Sequence, residues 1–136
     1  MIVDEGLELL TEDEAKGLLA GGGVGRIGIT MGALPAIFPV NYRVVDGEIF
    51  FRTSEGSKLT AATNGSVVAF EVDDYQLEER SGWSVLAIGT ARLVDAAAPR
   101  LEELDTTLAP LADGRRPALV CIEPTFISGR RIVHET

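Results

Sequence analysis

Apolar and polar positions change their period several times along this chain, and the changes mark its elements. Ala15, Leu18 and Leu19 form a short apolar stripe at helical spacing. The stripe is preceded by Thr11-Glu12-Asp13-Glu14, a capping box. There the Thr11 hydroxyl accepts from the Glu14 amide while the Glu14 carboxylate accepts from the Thr11 amide. Acidic residues in this first turn suit the helix dipole, and Gly21-Gly22-Gly23 ends the helix. From Val24 the period drops to two: Ile27, Ile29 and Met31 share one face, and Arg26, Gly28 and Thr30 the other. A strand over 34–45 follows, and Pro35 and Pro39 place its first half at an edge or bulge, because neither can donate a ladder hydrogen bond. Asp46-Gly47 predicts a tight hairpin into a strand over 48–53.

The polar segment Ser54-Glu55-Gly56-Ser57-Lys58 leads into a short helix to Thr63, closed by Asn64-Gly65. Val67 to Val72 reads as a strand apolar on both faces, as in a barrel wall covered outside. After a polar excursion over 73–82, Trp83 to Val94 is a long strand. Leu101, Leu104, Leu108 and Leu111 then recur at helical spacing, predicting a second amphipathic helix over 99–111. The last strand runs from Ala118 to about Glu123, is interrupted by Pro124, and resumes over 126–133. Six strands with three short helices predict a mainly β fold, an antiparallel β-barrel with helical decoration.

The chain's 136 residues correspond to one domain, 1–136, with no repeat or linker to divide it. No apolar run approaches the roughly 20 residues of a membrane helix, and the first residues lack the basic start of a signal peptide. The single cysteine, Cys121, excludes an internal disulfide and reads as a core thiol, so a cytoplasmic location is expected. A net charge of −9 repels a phosphate backbone, and nucleic acid is not an expected partner. His134 is the only histidine, which argues against a histidine-based metal centre or a catalytic triad. Gly21 to Gly25 is glycine-rich but precedes a strand, so it reads as a turn rather than a nucleotide loop.

In an acidic chain the few cations are worth locating one by one. Arg52 and Thr53 end a strand, and Ser57 and Lys58 open the next helix after a glycine turn. A helix start, a hydroxyl, an ammonium and a guanidinium together suit a phosphate monoester. The same spacing also fits an N-cap serine beside two solvated cations. Pro39, Val40 and Asn41 could wall a flat apolar ring and offer backbone groups to its polar edge, or could be an ordinary strand. Trp83, the only tryptophan, suits either a ligand stack or a core position. Tyr42, Glu71 and Tyr75 are acid–base candidates by residue type alone.

Taken in order, these segments resemble the pyridoxamine 5′-phosphate oxidase-like superfamily of flavin-binding split β-barrels, from about Leu10 to Arg131. The motifs are the leading helix, Val24-Gly25-Arg26-Ile27-Gly28, Pro39-Val40-Asn41-Tyr42, and Phe51-Arg52-Thr53 with Gly56-Ser57-Lys58-Leu59. Val68 to Val72 and Gly82-Trp83-Ser84-Val85 complete them. The resemblance implies a six-stranded split barrel acting as a homodimer, with cofactor sites at the subunit interface. It implies that Arg52, Thr53, Ser57 and Lys58 hold the phosphate of flavin mononucleotide (FMN), that Pro39, Val40 and Asn41 flank the isoalloxazine, and that Trp83 lies nearby, from the second subunit in one arrangement. The oxidases that act on the vitamin phosphate carry a C-terminal extension past the position of Thr136, so vitamin oxidation is not expected. Relatives that confer nitroimidazole resistance typically carry histidine at the position of Arg52. The reading is an FMN-dependent oxidoreductase of small molecules. One alternative is a reductase using the deazaflavin coenzyme F420, which needs more cations than Arg26, Arg43 and Arg80 supply. The other is a flavin-binding module without turnover.

Overall fold

The computed structural model describes residues 2–4, 7–53, 58–94 and 118–132. The predicted helix over 99–111, Ser57 and His134 lie outside the described residues. Ten elements follow in chain order: β1 (Ile2–Asp4), β2 (Leu7–Leu9), α1 (Glu12–Leu19), β3 (Gly23–Met31), β4 (Leu34–Val45), β5 (Glu48–Thr53), α2 (Lys58–Thr63), β6 (Val67–Gln76), β7 (Ser81–Val94) and β8 (Ala118–Ile132). Six strands close a ring in the order β8-β5-β4-β3-β6-β7, because β7 pairs back onto β8. Every pairing is antiparallel. The short hairpin β1–β2, which the hydrophobic pattern does not signal, adds to β8 at Arg130–Ile132.

Local chemistry sets many of these boundaries. The capping box at Thr11 and Glu14 is formed in both directions, at 3.0 and 3.1 Å. Asp46 and Gly47 both take positive φ, 51° and 79°, as a two-residue hairpin turn requires. The inward positions of β3, β4, β5, β6, β7 and β8 fill the barrel, with Ile27, Tyr42, Phe51, Phe70, Val85 and Val120 fully buried. Each such side chain contributes roughly 1.5–3 kcal/mol through removal from water. The rings of Tyr42 and Phe70 meet edge to face at 4.8 Å. Gly25 lies against the Phe70 ring, and a Cβ there would sit 2.7 Å from Phe70 Cε1. No helix among the described residues is long and apolar enough to cross a membrane.

Three sequence expectations are corrected. First, β8 is continuous through Pro124. The ladder steps from Ile88↔Phe126 to Gly89↔Pro124, leaving Thr125 as the extra residue of a bulge. Gly89 makes this possible, since a Cβ there would meet Pro124 Cα at 2.9 Å. Second, the polar stretch after Val72 is mostly strand: β6 runs on to Gln76, with both faces of its last residues in water, and β7 begins at Ser81. Third, two-sided burial belongs to β5 and β8 rather than β6, whose Val67 is exposed. Phe50, Leu119 and Cys121 form a second apolar cluster behind the main core. Pro35 and Pro39 stand in a regular ladder with β3, at an edge and without a bulge.

Candidate functional site

The split in the barrel wall follows from register. The β4–β5 ladder runs from Val45↔Glu48 to Tyr42↔Phe51 and stops there. Beyond it, β4 continues back to Leu34 paired only with β3, and β5 continues to Thr53 paired only with β8. Among the described residues, the peptide groups of residues 34–41 therefore have no strand partner on the β5 side. Tyr42 and Phe51 are buried inside the barrel, so alternation turns Asn41 and Arg52 outward and Val40 and Thr53 inward.

This register brings most of the expected residues together. Pro39, Val40 and Asn41 form one flank of the split, with Pro39 and Asn41 exposed. Arg52, half-buried, and Thr53, buried, form the other flank. Lys58 is the first residue of α2, which follows directly after β5; its side chain, like Ser57, lies outside the described residues. α2 is fastened at its far end. The Thr63 hydroxyl donates to the Leu59 carbonyl, Ser66 Oγ donates to the Ala62 carbonyl at 2.7 Å, and the Leu93 amide donates to Asn64 Oδ1 at 3.1 Å. Between α2 and the β3–β4 turn lies an open cleft of about 680 Å³, lined by Met31, Leu34, Pro35, Ala36, Ala61 and Ala62. That volume is in the range of small-molecule sites, and among the described residues no charged side chain lines it.

Trp83 is not part of this group within one chain. It stands beside Asp74 and Arg131 and packs against the core, whereas Arg52 stands beside Leu119, itself opposite Val94. Trp83 and Val94 lie near opposite ends of β7, roughly 35 Å apart at strand rise.

The acid–base candidates separate by environment. Tyr42 is buried, its hydroxyl donates to the Leu19 carbonyl at 2.7 Å, and burial raises its pKa. It anchors α1 and faces away from the outer surface. Tyr75 is exposed near the far end of β6. Glu71 lies on the outer face, where Arg26 of β3 stands between it and Pro39 in the order Pro39, Arg26, Glu71 across three strands. Arg26 Nη1 lies 3.3 Å from Glu71 Oε1 and 3.3 Å from Asp73 Oδ2. Partial burial, then the hydrogen bond and charge of Asp73, push the Glu71 carboxyl up to about 7 against the opposing pull of Arg26. The extension of β6 past Val72 puts Glu71 and Asp73 on one strand face, and the pairing with Arg26, 45 residues away, had no local signal. Cys121 is fully buried, as expected of a core thiol, and its Sγ donates to Glu48 Oε2 at 3.0 Å. No cluster of three or more potential metal ligands occurs among the described residues.

Comparison with known proteins matches this architecture. The family profile described as pyridoxamine 5′-phosphate oxidase matches residues 11–131. An uncharacterised protein of Mycobacterium tuberculosis is 39% identical over 132 residues, covering 93% of this chain and 86% of that protein. Among solved structures, the FAD-binding protein of Mycobacterium smegmatis is 34% identical, with a TM-score of 0.71 over 92% of this chain and 97% of that one. A protein of Corynebacterium glutamicum, described as a candidate pyridoxamine 5′-phosphate oxidase, is 30% identical with a TM-score of 0.76, covering 98% and 99%. The chain belongs to the pyridoxamine 5′-phosphate oxidase-like family.

Proposed function

We propose that this protein is a flavin-dependent oxidoreductase that holds its cofactor across the barrel split. The observation that carries the reading is the open flank of β4 facing Arg52 and Thr53. A flavin ring needs an apolar wall beside free peptide groups, and its 5′-phosphate needs cations and hydroxyls. Pro39 offers the wall, the peptide groups that the Val40–Asn41 stretch turns to the open side suit the polar edge, and Arg52, Thr53, Ser57 and Lys58 suit the phosphate. When bound, a flavin supplies hydride and electron transfer. The chain's own contribution is to orient the ring, screen one face from water and fix the phosphate. Similarity to the FAD-binding protein of M. smegmatis supports a flavin over coenzyme F420. The riboflavin 5′-phosphate unit common to FMN and FAD is the part assigned to this site.

A second copy of the chain is the partner we infer for the outer barrel face. Val24, Ile37, Val67 and Phe126 lie on that face of β3, β4, β6 and β8, exposed by 57, 72, 70 and 51%. Burying such a surface between two copies is favourable, and a cofactor at the split then lies near the interface. Trp83 serves the site only if the second copy supplies it.

Titration with FMN, FAD and F420 tests the assignment in wild type and in Lys58→Ala and Arg52→Ala. Loss of a charge-assisted phosphate contact is expected to weaken flavin binding by about 1.5–3 kcal/mol. Binding of F420 alone would support the deazaflavin alternative, and flavin that binds but never turns over would support a binding module. Unchanged affinity in both variants would remove the phosphate site.

A further inference from the structure

We propose that Glu71 is the acid–base residue of this site, exchanging a proton with substrate on the outer barrel face beside Pro39. The assignment rests on the flavin reading above. Its basis is the row Pro39, Arg26, Glu71, which places the carboxyl two strand spacings, roughly 10 Å, from the proposed ring wall. A ring held at Pro39 would lie beside Arg26, and Glu71 stands next in the same outward-facing row, open to a small substrate bound there. Among the described residues, no other carboxyl combines half-burial with a second carboxylate and a guanidinium on one face. The charged groups facing Glu71 are Arg26 on β3 and Asp73 on its own strand. On β7, its partner Leu86 and the neighbouring Ser84 carry no charge, and beyond Ser84 stands Arg130 of β8.

This arrangement suits proton donation near neutral pH. Asp73 and limited solvation favour the protonated carboxyl, and Arg26 stabilises the carboxylate left after transfer. In the reduction of a polarised double bond, a bound reduced flavin would supply the hydride to one end. The other receives the proton as the Glu71 O–H bond breaks, and the carboxylate regains a proton from water. Tyr42 cannot take this role, since its hydroxyl is committed inside the barrel.

Two measurements test the assignment. Carbon-detected NMR of the protein without cofactor is expected to show the Glu71 carboxyl titrating near 7, and lower in Asp73→Asn. Single-turnover oxidation of the flavin-loaded, reduced protein by menadione, an uncharged quinone, is expected to slow as pH rises through that midpoint. In Glu71→Gln it should be about 100-fold slower and nearly flat with pH, with partial recovery in Glu71→Asp. A carboxyl titrating in the ordinary range, or a Glu71→Gln profile matching wild type with flavin bound, would overturn the assignment alone. A protein that binds no flavin overturns the functional reading, and this role with it.

Discussion

Removing one oxygen from Tyr42 tests how the flank of the split is anchored. Tyr42 belongs to β4, three residues beyond Pro39, and its hydroxyl reaches the Leu19 carbonyl at the end of α1, 2.7 Å away. In Tyr42→Phe the ring keeps its edge-to-face contact with Phe70, so the packing is unchanged. The Leu19 carbonyl also keeps a longer bond from the Gly22 amide, 3.4 Å, and is not stranded. The expected cost is therefore that of one net hydrogen bond, about 1 kcal/mol, rather than the larger penalty of a buried orphan. Tyr42→Ala removes the ring from a fully packed position and should cost about 3–5 kcal/mol. Urea unfolding at neutral pH, followed by Trp83 fluorescence, measures both. Flavin affinity should be unchanged in Tyr42→Phe, because the side chain points inward. Alkali supplies a second reading. Burial raises the Tyr42 pKa above 10 in the folded protein, so the folded state holds this proton more tightly than the unfolded chain. Stability is then complete below about pH 10 and falls as pH rises beyond it, a component Tyr42→Phe should lack. A loss above about 2.5 kcal/mol in Tyr42→Phe, or below about 1.5 in Tyr42→Ala, would refute this account of the anchor.

Gly25→Ala should destabilise the barrel by about 1–3 kcal/mol through the collision with Phe70. Phe70→Leu in the same chain should recover part of that loss in thermal unfolding, and strict additivity would show that the two positions do not meet. The Glu71 carboxyl is raised from 4.5 to about 7, so its contribution is fully present below 4.5 and lost as pH rises through 7. Thermal midpoints of wild type and Glu71→Gln should therefore diverge across that window, with the variant flatter; parallel curves would contradict the shift. Thr11→Ala should cost about 1 kcal/mol in urea unfolding by removing the N-cap acceptor. An unchanged midpoint would mean that the box contributes nothing.

Features decided within a few residues were legible from the chain alone. The capping box at Thr11–Glu14, the Asp46-Gly47 turn, the alternation of β3 and the end of α2 at Thr63, closed by Asn64-Gly65, each depend on neighbours close in sequence. The grouping of Arg52 and Thr53 with Pro39 to Asn41 was legible as order and composition, through the resemblance. What put them on two sides of one opening was register, which ends at Tyr42↔Phe51 and leaves eight residues of β4 without a partner there among the described residues. No residue of that stretch announces the gap by itself, because a missing neighbour is a property of another strand. Pro124 shows the same limit in reverse: it reads as a break until Gly89, on β7, makes room for a bulge. In the sequence Glu71 was an acid–base candidate by residue type alone, and Arg26 one of several scattered cations. Only the β3–β6 pairing makes them, with Asp73, one charged group beside the proposed site.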